Sequence, residues 1–394
     1  MAVKLHKIKP LLLGFLFLLI LSSCTKAPKQ KNTEFKKEDA LEVRTIDGNY
    51  YIAIAAPLTG PYRELGNTII EGSSLAVEEY NAKQKDSKNK IGTIIIDDGG
   101  MVSEGIARAD IVIAEEALGV IGHLNSEISI ETSTKYSKNK IAQISPASTN
   151  PIFTERQAVK GFVYRTIGTD RQLAKAALKY ISDHPEIKTV AVLYNDRVYG
   201  KSVASEFDKK AAKHPEIEIV MSHAIPVRTA NHRKTAAEVA KMDPDLIFFI
   251  GEYNDAAYLL KDIKKLMPKV KFLGAEGVHQ QQFINIAGED AENSLVIGSK
   301  AASEELAKKY ETRFGKPISG YVGSSYEATN ILIDAIEASH FNKSPQAIAQ
   351  TLAKNKIFTP NGDLLNPDFV IYQVKDARFV PVKTVELGSS AKTK

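Results

Sequence analysis

The residues able to do chemistry in this chain sit in short turns that follow apolar runs. One set is rich in hydroxyls: Gly122-His123-Leu124-Asn125-Ser126-Glu127 and Ser145-Pro146-Ala147-Ser148-Thr149. Ser126, the Ala147 N–H and Thr149 are neutral donors. The Ser126 turn opens a stretch of helical spacing, where free N–H groups suit a carboxylate. A second set comes later: Asn195 to Gly200, Gly251-Glu252-Tyr253-Asn254 and Ala275-Glu276-Gly277-Val278. It supplies one carboxylate, Glu276, and two aromatics, Tyr199 and Tyr253. Donors for a carboxylate, set against a counter-charge for an ammonium, are what a zwitterionic amino acid between two domains requires. Charge-assisted bonds of that kind are the strong ones. Ser126 and Thr149 are also good helix caps, Glu276 beside Gly277 also fits a solvated loop, and the tyrosines also fit domain packing.

Catalytic arrangements find no support. No nucleophile–base pair stands out, and neither Gly-x-Ser-x-Gly nor Gly-x-Gly-x-x-Gly occurs. Gly200-Lys201-Ser202 follows a strand-like run and opens a helix, as a phosphate loop does, but Asn195 stands where that loop needs glycine. None of the 8 histidines forms a His-x-x-x-His pair with an acidic partner, and His123 after an apolar run reads as structural. The expectation is a binding protein with no catalytic residues, no cofactor and no metal, not an enzyme.

The elements that must hold these turns alternate. Apolar runs at Tyr50–Ala56, Ile91–Asp97, Gly119–Gly122, Ile141–Ser145, Thr189–Tyr194, Ile217–Met221, Leu246–Ile250 and Phe272–Gly274 read as strands. Between them, Val102–Ala117, Arg171–Ser182, Lys201–Lys213 and Ala256–Leu266 have helical spacing. Continuous apolar strands flanked by helices predict parallel sheets covered on both faces. The strands are too many for one unit, so the expected fold is α/β, with two doubly wound parallel-sheet domains joined by a hinge. A break falls near Thr166–Asp170, Lys300–Lys354 is nearly all helical in pattern, and strand-like runs return at Asp368–Gln373 and Phe379–Val385. The expected division is 50–166 plus 298–357 for an N-terminal lobe, 167–297 plus 358–387 for a C-terminal lobe, and a tail at 388–394. Ligands of such sheets bind beyond the carboxyl ends of the strands, where both sets of turns lie.

The N-terminus carries its own message. Lys4, Lys7 and Lys9 precede the apolar run Leu11–Leu21, which is shorter than the ~20 residues a membrane span takes. Residues 1–23 read as a signal peptide. Leu21-Ser22-Ser23-Cys24 resembles a bacterial lipobox, which makes Cys24, the 1 Cys of the chain, the expected lipidation site. Residues 24–49 read as that lipidated Cys followed by a flexible tether. The expected location is the cell envelope, lipid-anchored to a membrane and facing the periplasm or cell exterior. With a single Cys, a disulfide within the chain and a Cys-based metal site are excluded. Lys and Arg number 52 against 47 Asp and Glu, mixed along the chain, and no basic block alternates with aromatics. No nucleic-acid partner is expected.

From about Tyr50 to about Val385 the chain resembles the branched-chain amino-acid-binding proteins (the Leu/Ile/Val-binding family) of bacterial ABC importers, in lipoprotein form. The likeness rests on ordered motifs: Pro57–Pro61, Gly122-His123-Leu124 with Ser126, Ser145-Pro146-Ala147 with Thr149, Tyr199-Gly200, Gly251-x-Tyr253 and Ala275-Glu276-Gly277-Val278. The resemblance implies the type I periplasmic-binding fold, closing about its hinge on a small amino acid, and an ABC permease as partner of a monomer. It implies that Ser126, Thr149 and the Ala147 backbone hold the ligand carboxylate and that Glu276 takes the ammonium. Tyr199 and Tyr253 would line the cleft, with Tyr321 near the ligand side chain. The chain departs from the family pattern in having no partner for the disulfide that members form near Asn125. A cleft aromatic is replaced by Leu65, with Tyr62 close by. Alternatives are the same fold binding an amide, a short peptide or an aromatic acid, or a sensor with no transport role.

Overall fold

The computed structural model describes residues 45–227, 229–299, 302–385 and 387; the expected signal peptide, Cys24, the expected tether as far as residue 44 and the expected tail 388–394 lie outside the described residues. The chain begins with β1 (Thr45–Ile46) and β2 (Tyr50–Ala56), then alternates through α1 (Arg63–Lys83), β3 (Ile91–Asp97), α2 (Val102–Ala114), β4 (Gly119–Gly122), α3 (Ser126–Lys138), β5 (Ala142–Ser145), α4 (Ile152–Glu155) and β6 (Val163–Arg165). It then crosses to a second lobe: α5 (Asp170–Ser182), β7 (Thr189–Asn195), α6 (Val198–Ala211), β8 (Glu218–Ile225), α7 (Arg233–Met242), β9 (Leu246–Ile250), α8 (Tyr253–Lys264), β10 (Lys271–Gly274), α9 (Gln281–Ala287) and β11 (Leu295–Ser299). Three helices follow, α10 (Glu304–Phe314), α11 (Val322–Ala338) and α12 (Pro345–Leu352), and then the strands β12 (Phe369–Lys375) and β13 (Arg378–Val385).

The first sheet has 6 strands in the order β1-β3-β2-β4-β5-β6, the second 7 in the order β13-β12-β11-β10-β9-β7-β8. From β2 to β6 the pairings are parallel, as are those among β7 to β11. β1, β12 and β13 pair antiparallel and finish the edges. The architecture is the expected one of two doubly wound α/β lobes. Burial explains it: β2, β4 and β9 are apolar along most of their length and bury residues on both faces, because helices cover both sides of the sheet.

Local signals set the helix ends. Thr169 and Gln172 form a reciprocal cap on α5, Pro345 opens α12, and Gly315 ends α10 in the left-handed conformation. α6 and α8 start at Val198 and Tyr253, earlier than their apolar periodicity indicates. Tyr199 and Tyr253 therefore stand in first helical turns rather than in loops.

The helices after β11 return to the first lobe. Leu306, Tyr310 and Val322 form a small core with Leu75 of α1. Between these helices and β12, Arg165 N–H donates to the Gly362 carbonyl at 3.0 Å, and Arg165 Nε pairs with Asp363 at 2.7 Å.

Candidate functional site

In each sheet the order reverses beside the first strand of its lobe: β2 lies between β3 and β4, and β7 lies between β8 and β9. Turns after strands on opposite sides of such a point diverge and leave a crevice. The Ser126 turn follows β4 and the Thr149 turn follows β5. The Tyr199, Tyr253 and Glu276 segments follow β7, β9 and β10. Both sets therefore open at the carboxyl edges of their sheets, and the lobes meet there.

On the first lobe, buried polar bonds fix the turns. His123 Nδ1 meets Asp98 Oδ2 at 2.7 Å, and its Nε2 lies 3.3 Å from the Tyr136 hydroxyl. Ser145 Oγ donates to the His123 carbonyl at 2.9 Å, tying the β4 turn to the β5 turn. His123 is therefore structural, as its place after an apolar run indicates. Ser126 is the first residue of α3, is buried, and heads a helix whose Asn125 makes no side-chain cap. Ala147 and Thr149 are buried as well.

On the second lobe, Glu276 is buried in the 3-10 turn after β10. The Tyr199 hydroxyl donates to its Oε2 at 3.2 Å, while Oε1 has no hydrogen-bond partner among the described residues. Burial, with the neighbouring Asp170 carboxyl adding to it, pushes the Glu276 pKa up to about 8. The tight packing of this turn needs glycine: a Cβ on Gly277 would lie 2.5 Å from the Gly251 carbonyl oxygen. Gly251-x-Tyr253 and Ala275-Glu276-Gly277 are thus two sides of one close backbone contact.

The structure gathers most of the expected residues into one cluster. Burial and the Glu276 charge together hold the Tyr321 phenol well above its ordinary range, and Tyr199 responds to Glu276 and Tyr321 in the same way. The Tyr253 hydroxyl crosses the cleft and donates to the Pro61 carbonyl at 3.0 Å. Leu65 lies in the first-lobe core at 0% exposure. The neighbouring Tyr62 ring faces the second lobe, with the Arg197 guanidinium 4.8 Å from its centre.

Three residues that sequence pattern did not single out belong to the same place. Asp170, the first residue of α5, is fully buried. Burial raises its pKa to about 6, and the nearby Ser202 and Thr149 hydroxyls and Arg165 limit the rise. Neither of its carboxylate oxygens closes a well-formed hydrogen bond, nor does Thr149 Oγ1. Arg197 donates Nε to Glu127 Oε1 at 2.7 Å and Nη2 to the Gly100 carbonyl at 3.3 Å, both across the cleft. Glu252 accepts from Asn195 Nδ2 at 2.6 Å and is pushed by burial up to about 7. The same Asn195 explains the false phosphate-loop likeness, since Gly200 packs directly against its side chain. A hint of Asp170 was in the sequence, as the acid that ends the Thr166–Asp170 break; its burial was not.

No group of His, Cys, Asp and Glu suited to a metal occurs among the described residues, and no helix among them is long and apolar enough to cross a membrane. The site can instead hold a small polar molecule between a helix N-terminus with hydroxyls and a buried carboxylate cluster.

Comparison with known proteins agrees. A family model described as periplasmic binding protein matches residues 49–374. The leucine-, isoleucine-, valine-, threonine-, and alanine-binding protein of Pseudomonas aeruginosa is 26% identical over 348 residues, which cover 84% of this chain and 92% of that protein. A Leu/Ile/Val-binding protein homolog of Brucella suis is 29% identical over 319 residues, 79% of this chain and 85% of its own. Among solved structures, a leucine-binding protein of Thermotoga maritima superposes with a TM-score of 0.77 at 23% identity, covering 86% of this chain and 99% of that one. A solute-binding protein from R. palustris, in complex with benzoate, gives 0.75 at 18% identity over 86% of this chain and 97% of its own. The chain belongs to the periplasmic binding protein family and is a binding protein rather than an enzyme.

Proposed function

We propose that the protein captures a small, branched-chain-like amino acid between its lobes and delivers it to the permease of an ABC importer. The observation that carries this reading is the set of buried polar atoms at the cleft that close no well-formed hydrogen bond among the described residues: Glu276 Oε1, the Asp170 oxygens and Thr149 Oγ1. Buried polar groups are almost always hydrogen-bonded, so a ligand with an ammonium and a carboxylate is the complement they lack. In this reading Ser126, Thr149 and the Ala147 N–H take the carboxylate, and Glu276 takes the ammonium. Tyr199 and Tyr253 wall the cleft, and Tyr321 flanks the ligand side chain; Leu65, expected there, lies in the first-lobe core. Relatives that bind leucine, isoleucine and valine support the ligand class.

The second reading is an aromatic acid, since similar folds are known in complex with benzoate and with 4-hydroxybenzoate. Such a ligand has no ammonium for Glu276, and its carboxylate meets a pocket that already holds buried acids. The amino acid is favoured on that ground.

The chain is further proposed to act as a monomer, lipid-anchored through Cys24, its folded part held off the membrane by the residues between Cys24 and β1; the tether expected over 24–49 is shorter at its far end, because Thr45–Ile46 pair with β3 in the first sheet. A thermal-shift screen against amino acids, their amides and aromatic acids tests the ligand. At 100 times Kd a ligand stabilises by about 2.7 kcal/mol. A shift with leucine, isoleucine or valine supports the reading, and a shift with benzoate alone overturns it.

A further inference from the structure

The 3-10 turn Glu276–Val278 presents two faces. Glu276 meets Tyr199 at the cleft, whereas His279, whose N–H donates to the Glu276 carbonyl at 3.0 Å, stacks on Tyr372 at 4.1 Å between ring centres. Phe379 meets the His279 ring edge-on at 4.7 Å. The facing segment from the first lobe is Ser319-Gly320-Tyr321, and the Gly320 N–H donates to the His279 carbonyl at 2.6 Å. The two chain segments that carry Glu276 and Tyr321 toward the cleft thus also wall a separate cavity of about 150 Å3. Its wall includes His279, Tyr372, Phe379, Ser319, Gly320 and Gly323.

His279 is 7% exposed, and its Nε2 has no hydrogen-bond partner among the described residues. Burial lowers its pKa to about 4, so the ring is neutral near pH 7. A neutral imidazole accompanied by two aromatic faces brings no charge to hold an anion or a zwitterion. It suits an aromatic ring bearing a single hydroxyl, which fills the space and bonds to the nitrogen. An apolar cavity of about 150 Å3 is large enough for a benzene ring.

We propose that this cavity is a second ligand site, distinct from the amino-acid cleft, which takes one small neutral phenol-like molecule against His279. Because both lobes supply its walls, an occupant favours the arrangement in which the lobes are together. The inference stands whichever ligand the cleft takes.

The test uses phenol as probe and the full chain, with binding read by calorimetry and by saturation-transfer NMR. Gly323→Leu blocks the cavity: among the described residues a Cβ there meets only the Ala302 Cβ, at 3.8 Å, so the variant has room to fold. Glu276→Ala is the control at the cleft. The expected result is phenol affinity weakened at least about tenfold by Gly323→Leu and left within about twofold by Glu276→Ala, tenfold being the change one lost good contact produces. His279→Leu is expected to abolish the preference for phenol over benzene. Phenol binding unaffected by Gly323→Leu, lost in Glu276→Ala, or absent from the unaltered chain overturns the proposal.

Discussion

Arg197, at the head of α6, pairs with Glu127, in the first turn of α3, with Nε 2.7 Å from Oε1. The pair bridges the two lobes, and both side chains are largely buried, at 14% and 17% exposure. Tyr62 lies under the guanidinium, so the arginine is held by charge and by the ring face together. Arg197→Ala leaves Glu127 without its partner in the closed form only. Ligand affinity is expected to fall by about 2 kcal/mol, roughly thirtyfold. Small-angle scattering of the ligand-free variant is expected to show a larger radius of gyration. Calorimetry with unchanged Kd would exclude the latch.

Glu276→Ala is expected to remove most affinity for a free amino acid while leaving the fold intact, because only the ligand ammonium repays the burial of this carboxylate. The Glu276 pKa in the ligand-free chain is about 8, and an ammonium beside it favours the ionised form. Binding is then linked to loss of a proton. Affinity should rise by about tenfold per pH unit on approaching that value from below. Glu276→Gln should flatten this dependence, and a slope that survives in the variant points to another group.

The ligand-free protein is expected to lose stability as pH rises. Asp170, Glu252 and Glu276 have pKa values raised to about 6, 7 and 8 by burial. The folded state therefore holds protons that the unfolded chain releases. Their stabilising share is complete below the ordinary carboxylate range and disappears as pH climbs through those values. Melting temperatures from about pH 4 to 9 check this, and Glu276→Gln should remove the step nearest pH 8.

Tyr253→Phe deletes a single bond across the cleft, from the hydroxyl to the Pro61 carbonyl at 3.0 Å. The ring stays packed, so the expected cost is about 1 kcal/mol of binding free energy. The second-lobe fold should be untouched. A titration that separates this loss from a change in unfolding midpoint tells a closure contact from a packing one.

Cys24→Ser is expected to release the chain from the membrane fraction while ligand binding by the soluble form is unchanged. A variant that still sediments with membranes would argue that something other than the acyl chains holds it.

The sequence by itself determined the architecture. Runs such as Tyr50–Ala56, Ile91–Asp97 and Leu246–Ile250 match the strands residue for residue, because a strand buried on both faces must be apolar throughout. It also marked turns that the topology brings to one edge. Ser126, Thr149, Tyr199, Tyr253 and Glu276 stand at strand ends, and topology sends those ends to one place. β1, β6 and β11 escaped. The later starts expected for α6 and α8 followed from counting apolar periodicity, which first-turn residues at a cleft do not obey.

Only the tertiary structure decided which polar residues are left unsatisfied. Asp170, Glu252 and Arg197 were not singled out by sequence pattern. Their burial comes from two lobes meeting, a contact between segments far apart in the chain that no local pattern encodes. The same holds for Leu65, which stands where the resemblance puts a cleft aromatic but lies in the core, while Tyr62 meets the opposite lobe. Spacing along the chain assigns a residue to a loop; the facing lobe settles whether that loop meets water or a ligand.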